Sequence, residues 1–194
     1  MKKLLSCATL ALAAALAAPA HATTVALAGD GLWNEFNVDS FVSQSFGNEW
    51  IDSADGSPLS FTFTIAAGQV GTLTVVDAGF AGDTFTVTNH GAALGTTSAV
   101  AGGTTAGDVV LDFDAALADP AYSRGVFTLQ AGSYSISGAL LQSVFDADAG
   151  TDLDATNGAV SLTLSAVPEP GEAALLLGGL AALAALRRRT TRNA

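Results

Sequence analysis

Apolar and polar side chains alternate residue by residue through most of the middle of the chain. In the segment 60–65, Phe61, Phe63 and Ile65 alternate with hydroxyl side chains, so an extended strand there would have one apolar and one polar face. The same period of two returns at Leu73 and Val75, Phe85 and Val87, Val109, Leu111 and Phe113, Phe127 and Leu129, Tyr134 and Ile136, and Val160, Leu162 and Leu164. The pattern predicts about eight short antiparallel strands, and therefore an all-β sandwich of jelly-roll type.

Residues that favour turns separate the predicted strands. They occur at Asp55-Gly56, Gly79, Gly82-Asp83, Asn89-His90-Gly91, Ala131-Gly132 and Asn157-Gly158. One short helix is predicted around Asp114 to Ala121, where Pro120 limits its length. Because no sustained helical periodicity occurs between residues 23 and 166, we predict a single all-β domain over that range.

A basic and then apolar segment opens the chain. Lys2 and Lys3 precede the apolar run 4–18, and the small residues Ala20 and Ala22 follow it with one residue between them. This arrangement is typical of a secretory signal peptide. We predict that residues 1–22 form a signal helix, which signal peptidase removes to leave a mature chain starting at Thr23. The sole cysteine, Cys7, leaves with it, so the exported domain has no disulfide and depends on its core for stability.

A second apolar run, residues 173–186, lies near the carboxyl end. It stands between the triplet Pro168-Glu169-Pro170 and the cluster Arg187-Arg188-Arg189. The prolines resist helix and strand, so the triplet predicts an extended break after the domain. A helix over this run would reach about 21 Å, which is less than the roughly 30 Å of a hydrocarbon core. The arginines favour the cytoplasmic side. We predict a short transmembrane helix at 173–186, a cytoplasmic tail at 190–194, and the domain 23–166 outside the cytoplasm.

The triplet, the apolar helix and the arginines, in that order, resemble the PEP-CTERM sorting signal of Gram-negative bacteria over residues 167–189. The resemblance implies that Pro168, Glu169 and Pro170 are recognised by an exosortase, a membrane transpeptidase-like enzyme, and that Arg187, Arg188 and Arg189 set the topology. It also implies transient anchoring in the inner membrane, then transfer to the cell surface or extracellular polysaccharide. The Ala-rich helix and the polar tail after the arginines depart from the usual pattern.

The middle of the chain resembles an ectodomain that recurs in PEP-CTERM proteins, over about residues 55–145. The likeness rests on Phe61-x-Phe63, Leu73-x-Val75-x-Asp77, Gly82-Asp83-x-Phe85, Gly91-x-x-Leu94-Gly95-x-Thr97-Ser98, Asp119-Pro120 and Phe127-x-Leu129-x-Ala131-Gly132. These are residues of turns and cores, so the resemblance implies a fold and no chemistry. We expect Asp77 and Asp83 to brace the glycine-containing turns, and a role as ligands is the alternative.

The net charge of −11 over 194 residues hides a division into three parts. Residues 1–22 carry +2, residues 23–166 carry −15, and residues 167–194 carry +2. Within the predicted domain, Arg124 is the single Lys or Arg residue. This balance excludes nucleic acid as a partner, because its binding depends on clustered Lys and Arg.

The predicted mature domain offers little for catalysis. His90 is its single histidine and lies in a predicted hairpin turn, and the domain contains no cysteine. A Ser-His-Asp triad would depend on His90, and no Gly-x-Ser-x-Gly motif occurs. A pair of carboxylates, as glycosidases use, can be neither excluded nor selected among sixteen acids. We expect no enzymatic activity.

The strongest candidate for a metal site is a run of alternating carboxylates. Asp146, Asp148, Asp152 and Asp154 offer the hard oxygen ligands that Ca²⁺ prefers. The run does not match an EF-hand loop, because Thr151 occupies the glycine position and Asn157 replaces the bidentate glutamate. The alternatives are a weak calcium site and a solvated acidic loop between strands, and we favour the loop. No other cofactor is predicted.

Aromatic residues are concentrated near the start of the predicted domain: Trp33, Phe36, Phe41, Phe46 and Trp50. They either plug the end of the sandwich core, which we favour, or stack on sugar rings. Taken with both chain ends, the sequence predicts a non-enzymatic, exported protein of the cell surface or extracellular matrix. The alternative is a module that binds extracellular polysaccharide, with or without calcium.

Overall fold

Two sheets of five strands and one small hairpin make up the fold in a computed structural model, which describes residues 22–167, 171 and 175–180. The first sheet has the order β1 (Thr23–Ala26), β3 (Leu59–Ile65), β9 (Gly132–Gln142), β5 (Thr84–Asn89) and β6 (Ala92–Thr96). The second has the order β2 (Asp30–Asp39), β12 (Ala155–Ala166), β4 (Gln69–Phe80) and β7 (Val109–Val110), with β8 (Arg124–Leu129) also paired to β4. The hairpin pairs β10 (Phe145–Asp146) with β11 (Thr151–Asp152), and a helix, α1, covers Phe113–Ala118.

The apolar faces of the two large sheets meet in one core, as the alternation predicts. In β3, Phe61 and Ile65 are buried while Thr64 is exposed. Leu73 of β4 lies opposite Leu162 of β12 in the strand register, and both are buried. The prediction of an all-β sandwich is therefore confirmed. One pairing departs from the antiparallel prediction, because β1 runs parallel to β3.

The predicted strand through Val109, Leu111 and Phe113 is wrong beyond Val110. Strand β7 has two residues, and α1 begins at Phe113. The cause is the Asp112 side chain, which accepts hydrogen bonds from the backbone N–H groups of Asp114 and Ala115 over 2.9 and 3.1 Å. An aspartate in this role starts a helix, so the polar position was a helix cap rather than the outer face of a strand.

Two of the predicted turns are also wrong. Gly79 lies inside β4, and Asn157-Gly158 lies inside β12. At Gly158 the glycine permits close packing: a Cβ there would lie 2.5 Å from Cζ of Phe36. The Asn89-His90-Gly91 turn is confirmed, with φ of 48° at His90 and 77° at Gly91 between β5 and β6.

A smaller apolar cluster lies on the outer face of the second sheet. Val76, Ala116, Tyr122 and Ala159 are buried there, where α1 packs against β4. Trp33 packs on Phe113 of the helix, with ring centroids 6.0 Å apart. The helix covers only part of this face, which leaves a groove beside it.

The described strands begin and end close to the two predicted targeting segments. Strand β1 begins at Thr23, and β12 ends at Ala166. In the part of the chain that the structure describes, no helix combines the length and the apolar character needed to cross a membrane. Residues 1–21, which include Ala20, lie outside the described residues, as do Pro168, Glu169, Pro170 and Arg187, Arg188 and Arg189. Of the predicted membrane helix at 173–186, only residues 175–180 are described, and they are helical.

Candidate functional site

Four buried polar residues form a connected group between the sheets. Ser123 Oγ donates to Thr97 Oγ1 over 2.9 Å, and the backbone N–H of Asp77 donates to the Ser123 carbonyl over 2.9 Å. Asp83 Oδ1 accepts the Val144 N–H over 2.7 Å. Asp77 is 0% exposed and Asp83 1%. The group therefore places two carboxylates in the protein interior.

Asp77 is the less satisfied of the two carboxylates. It follows Leu73 and Val75 at intervals of two along β4, so its side chain enters the space between the sheets. The backbone N–H groups of Gly82, Asp83 and Ser123 face its carboxylate. Within the described residues, however, neither Asp77 oxygen has a partner in hydrogen-bonding geometry. Bracing of the glycine-containing turn by Asp77 therefore stays a prediction.

Burial and mutual repulsion shift the pKa values of both carboxylates upward. Burial, followed by the charge of Asp83, raises the pKa of Asp77 to about 9, although the neighbouring N–H groups oppose the shift. Burial, with a smaller contribution from the Asp154 charge, raises the pKa of Asp83 to about 6. The Thr156 hydroxyl and the Val144 N–H oppose that shift. At neutral pH, Asp77 is therefore a neutral acid beside an ionised Asp83.

The acidic pair acts on stability rather than on a bound molecule in this conformation. With both side chains at 1% exposure or less, no substrate reaches either carboxylate. A buried acid whose pKa lies well above 3.8 favours folding at low pH and opposes it at high pH. The pair thus links the stability of the sandwich to pH.

The predicted calcium-binding run forms a tight hairpin. Asp146 Oδ1 accepts the N–H groups of Asp148 and Ala149 over 2.9 and 3.2 Å, so this carboxylate closes the turn between β10 and β11. Asp154 Oδ1 accepts from Asn48 Nδ2 over 3.5 Å. Within residues 22–167, 171 and 175–180, no three His, Cys, Asp or Glu side chains are grouped so as to hold a metal ion. Calcium binding by Asp146, Asp148, Asp152 and Asp154 stays a prediction.

The aromatic residues near the start of the domain do not form one group. Phe36 and Trp50 are fully buried and stacked, with ring centroids 4.0 Å apart and planes at 15°. Trp33 is half-buried, and its Nε1 donates to Asp114 Oδ1 over 2.9 Å. Phe41 and Phe46 are 84% and 81% exposed. The core interpretation therefore holds for Phe36 and Trp50 and is wrong for Phe41 and Phe46.

The segment 40–47, which carries both exposed phenylalanines, is tightly hydrogen-bonded. The hydroxyls of Ser43 and Ser45 both donate to Glu49 Oε1, and the Phe41 N–H donates to Asp39 Oδ1 over 2.9 Å. Burial raises the pKa of Glu49, but the bonds from the two serines outweigh it and hold the pKa below its usual value. The loop therefore presents its two phenyl rings from a fixed backbone.

A groove of about 430 Å³ lies on the outer face of the second sheet. Its polar residues include Asn37 of β2 and Asn157 of β12, which are directly opposite each other in the antiparallel register. Since Phe36 and Val38 belong to the core, Asn37 between them faces away from it. Phe80, Val109 and Leu111 contribute apolar side chains to the same groove. The volume lies within the range of sites for small molecules.

Comparisons with known proteins do not assign the chain to a family. No protein family and no curated protein matches the chain. Two solved structures are similar to it at low TM-scores. The pre-peptidase C-terminal domain of collagenase from Bacillus anthracis is 10% identical at a TM-score of 0.35, covering 76% of this chain and 98% of that one. PliG of Aeromonas hydrophila, a periplasmic inhibitor of g-type lysozyme, is 13% identical at 0.30, covering 74% and 96%.

The local sequence pattern does not identify Asn37 and Asn157 as a pair. Asn157-Gly158 predicts a turn, whereas the structure places Asn157 inside β12. The alternation of Asn37 with Phe36 and Val38 does indicate an outward amide. That Asn37 lies opposite Asn157 depends on the register of two strands more than one hundred residues apart, which no local pattern contains.

Proposed function

We propose that the chain is a non-enzymatic, exported protein of the cell surface or extracellular matrix, which an exosortase sorts through its carboxyl-terminal segment. The observation that carries the proposal is the order of features along the sequence: a basic and then apolar opening segment, an acidic segment that folds into strands, the Pro168-Glu169-Pro170 triplet, an apolar run and three arginines. The described strands support it, because they extend from Thr23 to Ala166 and so lie between the two segments. Signal peptidase, the inner membrane and the exosortase are the processing partners of this route.

Processing in the native host tests the route. The host is fractionated, and the carboxyl end of the mature protein is determined by mass spectrometry. We expect a chain ending near Pro170 in the surface fraction. For the Glu169→Ala variant, we expect an unprocessed chain in the inner membrane. Glu172→Ala is the matched control, because it removes an equal charge outside the triplet. An intact wild-type chain ending at Ala194 in the inner membrane would contradict the proposal, as would equal processing of both variants.

A second candidate function is binding of extracellular polysaccharide, with or without Ca²⁺. The exposed rings of Phe41 and Phe46 on a hydrogen-bonded loop favour it, because exposed apolar groups held in place mark interaction surfaces. Retention on a gel of the host polysaccharide, in Ca²⁺ and in chelator, measures binding. The double variant Phe41→Ser plus Phe46→Ser should elute earlier than wild type. Leu141→Ser is the control, since Leu141 is 59% exposed on β9.

A further inference from the structure

We propose that the groove on the outer face of the second sheet binds a neutral saccharide, with the side-chain amides of Asn37 and Asn157 as the hydrogen-bonding part of its floor. Both residues are half-buried and line the groove. They are direct partners in the β2–β12 register, so the two amides project side by side from one face of a rigid ladder. Two neighbouring amides offer donors and acceptors at the spacing of a strand pair.

The two amides are free to serve a ligand. Within the described part of the chain, neither side chain forms a hydrogen bond. The Asn157 side chain lies over the backbone of Gly79, where a Cβ would come within 2.8 Å of its Oδ1. Gly79 has φ of 81° and no Cβ, so it leaves room for the Asn157 amide. The hydrogen-bonding groups of both side chains are therefore available to a ligand.

The other side chains that line the groove indicate which class of ligand it binds. Apolar side chains of Val42, Val109 and Leu111 are 58%, 53% and 68% exposed around the groove. A purely apolar ligand would bury the two amides without partners, which is costly. A sugar ring avoids this cost because it carries hydroxyl groups at its rim and C–H groups on its faces. Amides match the hydroxyls, and the aliphatic side chains match the C–H faces.

Charge excludes the anionic alternative. Among the residues that the structure describes, Asp39 lines the groove and no Lys or Arg does, and the segment 23–166 around it carries −15. An acidic saccharide or a phosphate would therefore meet repulsion with no basic partner. A neutral saccharide meets neither obstacle.

Backbone pairing excludes an added peptide strand at this position. β2 is the edge of its sheet, but Ile51 already covers that edge at Asn37. The Ile51 N–H donates to the Asn37 carbonyl over 2.8 Å, and the Asn37 N–H donates back over 3.2 Å. Because the backbone groups are taken, recognition there belongs to the side chains.

The inference rests on the second candidate function, since the ligand is a saccharide in both, but it names a different surface. Calorimetric titration tests it on the full chain in a detergent without a sugar headgroup. Maltohexaose and cellohexaose are the neutral probes, and hexameric oligogalacturonate is the anionic one. We expect binding of a neutral probe and none of the anionic probe. Asn37→Ala and Asn157→Ala should each weaken binding about tenfold or more.

Two further variants keep the test decisive. Ser53→Trp fills the groove from an exposed turn and should abolish binding without disturbing the core. Asn34→Ala removes an amide from the same strand outside the groove and should bind as wild type. A folded wild-type protein that binds neither neutral probe would overturn the inference. If binding survives Ser53→Trp but disappears in Phe41→Ser plus Phe46→Ser, polysaccharide binding stands and the groove assignment is wrong.

Discussion

Phe36 and Gly158 lie opposite each other in the β2–β12 ladder, and the Phe36 ring occupies the space that a side chain at Gly158 would need. The ring then stacks on Trp50 and meets Phe85 edge to face at 5.2 Å. Because Gly158 has no side chain, the Phe36 ring can lie against its backbone and stack on Trp50. The sequence predicts a turn at Asn157-Gly158, but in the fold Gly158 lies inside a strand and packs against Phe36.

Gly158→Ala is therefore expected to destabilise the protein. A Cβ would lie 2.5 Å from the Phe36 ring and 2.6 Å from the Val76 carbonyl oxygen, and the backbone atom has little freedom to move. We expect a loss of about 1–3 kcal/mol, the usual cost of overpacking a core. Urea denaturation measures it. Gly102→Ala is the control, because nothing lies within 4 Å of a Cβ there. Equal midpoints for the two variants would contradict the packing role.

Phe36→Ala and Phe41→Ala separate the two kinds of aromatic residue. Phe36 is fully buried, so its removal should cost about 3–5 kcal/mol through lost contacts and a cavity. Phe41 is 84% exposed, and its removal should change stability by about 0.5 kcal/mol or less. Denaturant midpoints of the two variants provide the comparison. A large loss in Phe41→Ala would show that the loop packs more closely than its exposure indicates.

The raised pKa of Asp77 predicts a loss of stability at alkaline pH. An unfolded aspartate loses its proton near pH 3.8, whereas folded Asp77 holds it up to about pH 9. Between these values the folded state binds more protons, so stability is greatest at the acid end and falls as pH rises. Above about pH 6, where Asp83 is ionised, Asp77 alone should contribute a slope of about 1.4 kcal/mol per pH unit.

Asp77→Asn should flatten that dependence. The amide has nearly the same shape and no proton to release, so the variant should be more stable than wild type at pH 8. Stability from denaturation at pH 6, 7, 8 and 9 is compared with that of Asp148→Asn, an exposed acid on the hairpin. If the Asp77→Asn and wild-type curves run parallel, the acidic pair does not control the pH dependence.

A calcium titration tests the acidic hairpin. If Asp146, Asp148, Asp152 and Asp154 bind Ca²⁺, millimolar calcium should raise the melting temperature, in keeping with weak extracellular sites of about 10⁻⁴–10⁻³ M. The double variant Asp148→Ala plus Asp152→Ala should lose the increase. Asp52→Ala plus Asp55→Ala removes the same charge from another loop and serves as control. An unchanged melting temperature and no heat of binding in wild type would leave the run as a solvated hairpin.

The local alternation of apolar and polar residues predicted most of the architecture. Alternation in 60–65 and around Leu73, Phe85 and Leu162 placed the core faces of β3, β4, β5 and β12 correctly. It failed at Asp112 and Gly158, because an aspartate caps helices as well as facing water, and a glycine admits a neighbouring ring as well as a turn. Aspartate and glycine can each take more than one structural role, and the neighbours in the folded protein decide which role applies.

The sequence by itself determined the all-β class, the acidic character of residues 23–166, and the two flanking segments that suggest export and sorting. Tertiary structure decided that Asp77 and Asp83 share a buried site, that Phe36 and Trp50 are core while Phe41 and Phe46 are surface, and that Asn37 stands beside Asn157. The physical reason is the range of the interactions. Hydropathy and turn preference act over a few residues, whereas burial, pKa and side-by-side placement depend on strands paired across more than one hundred positions.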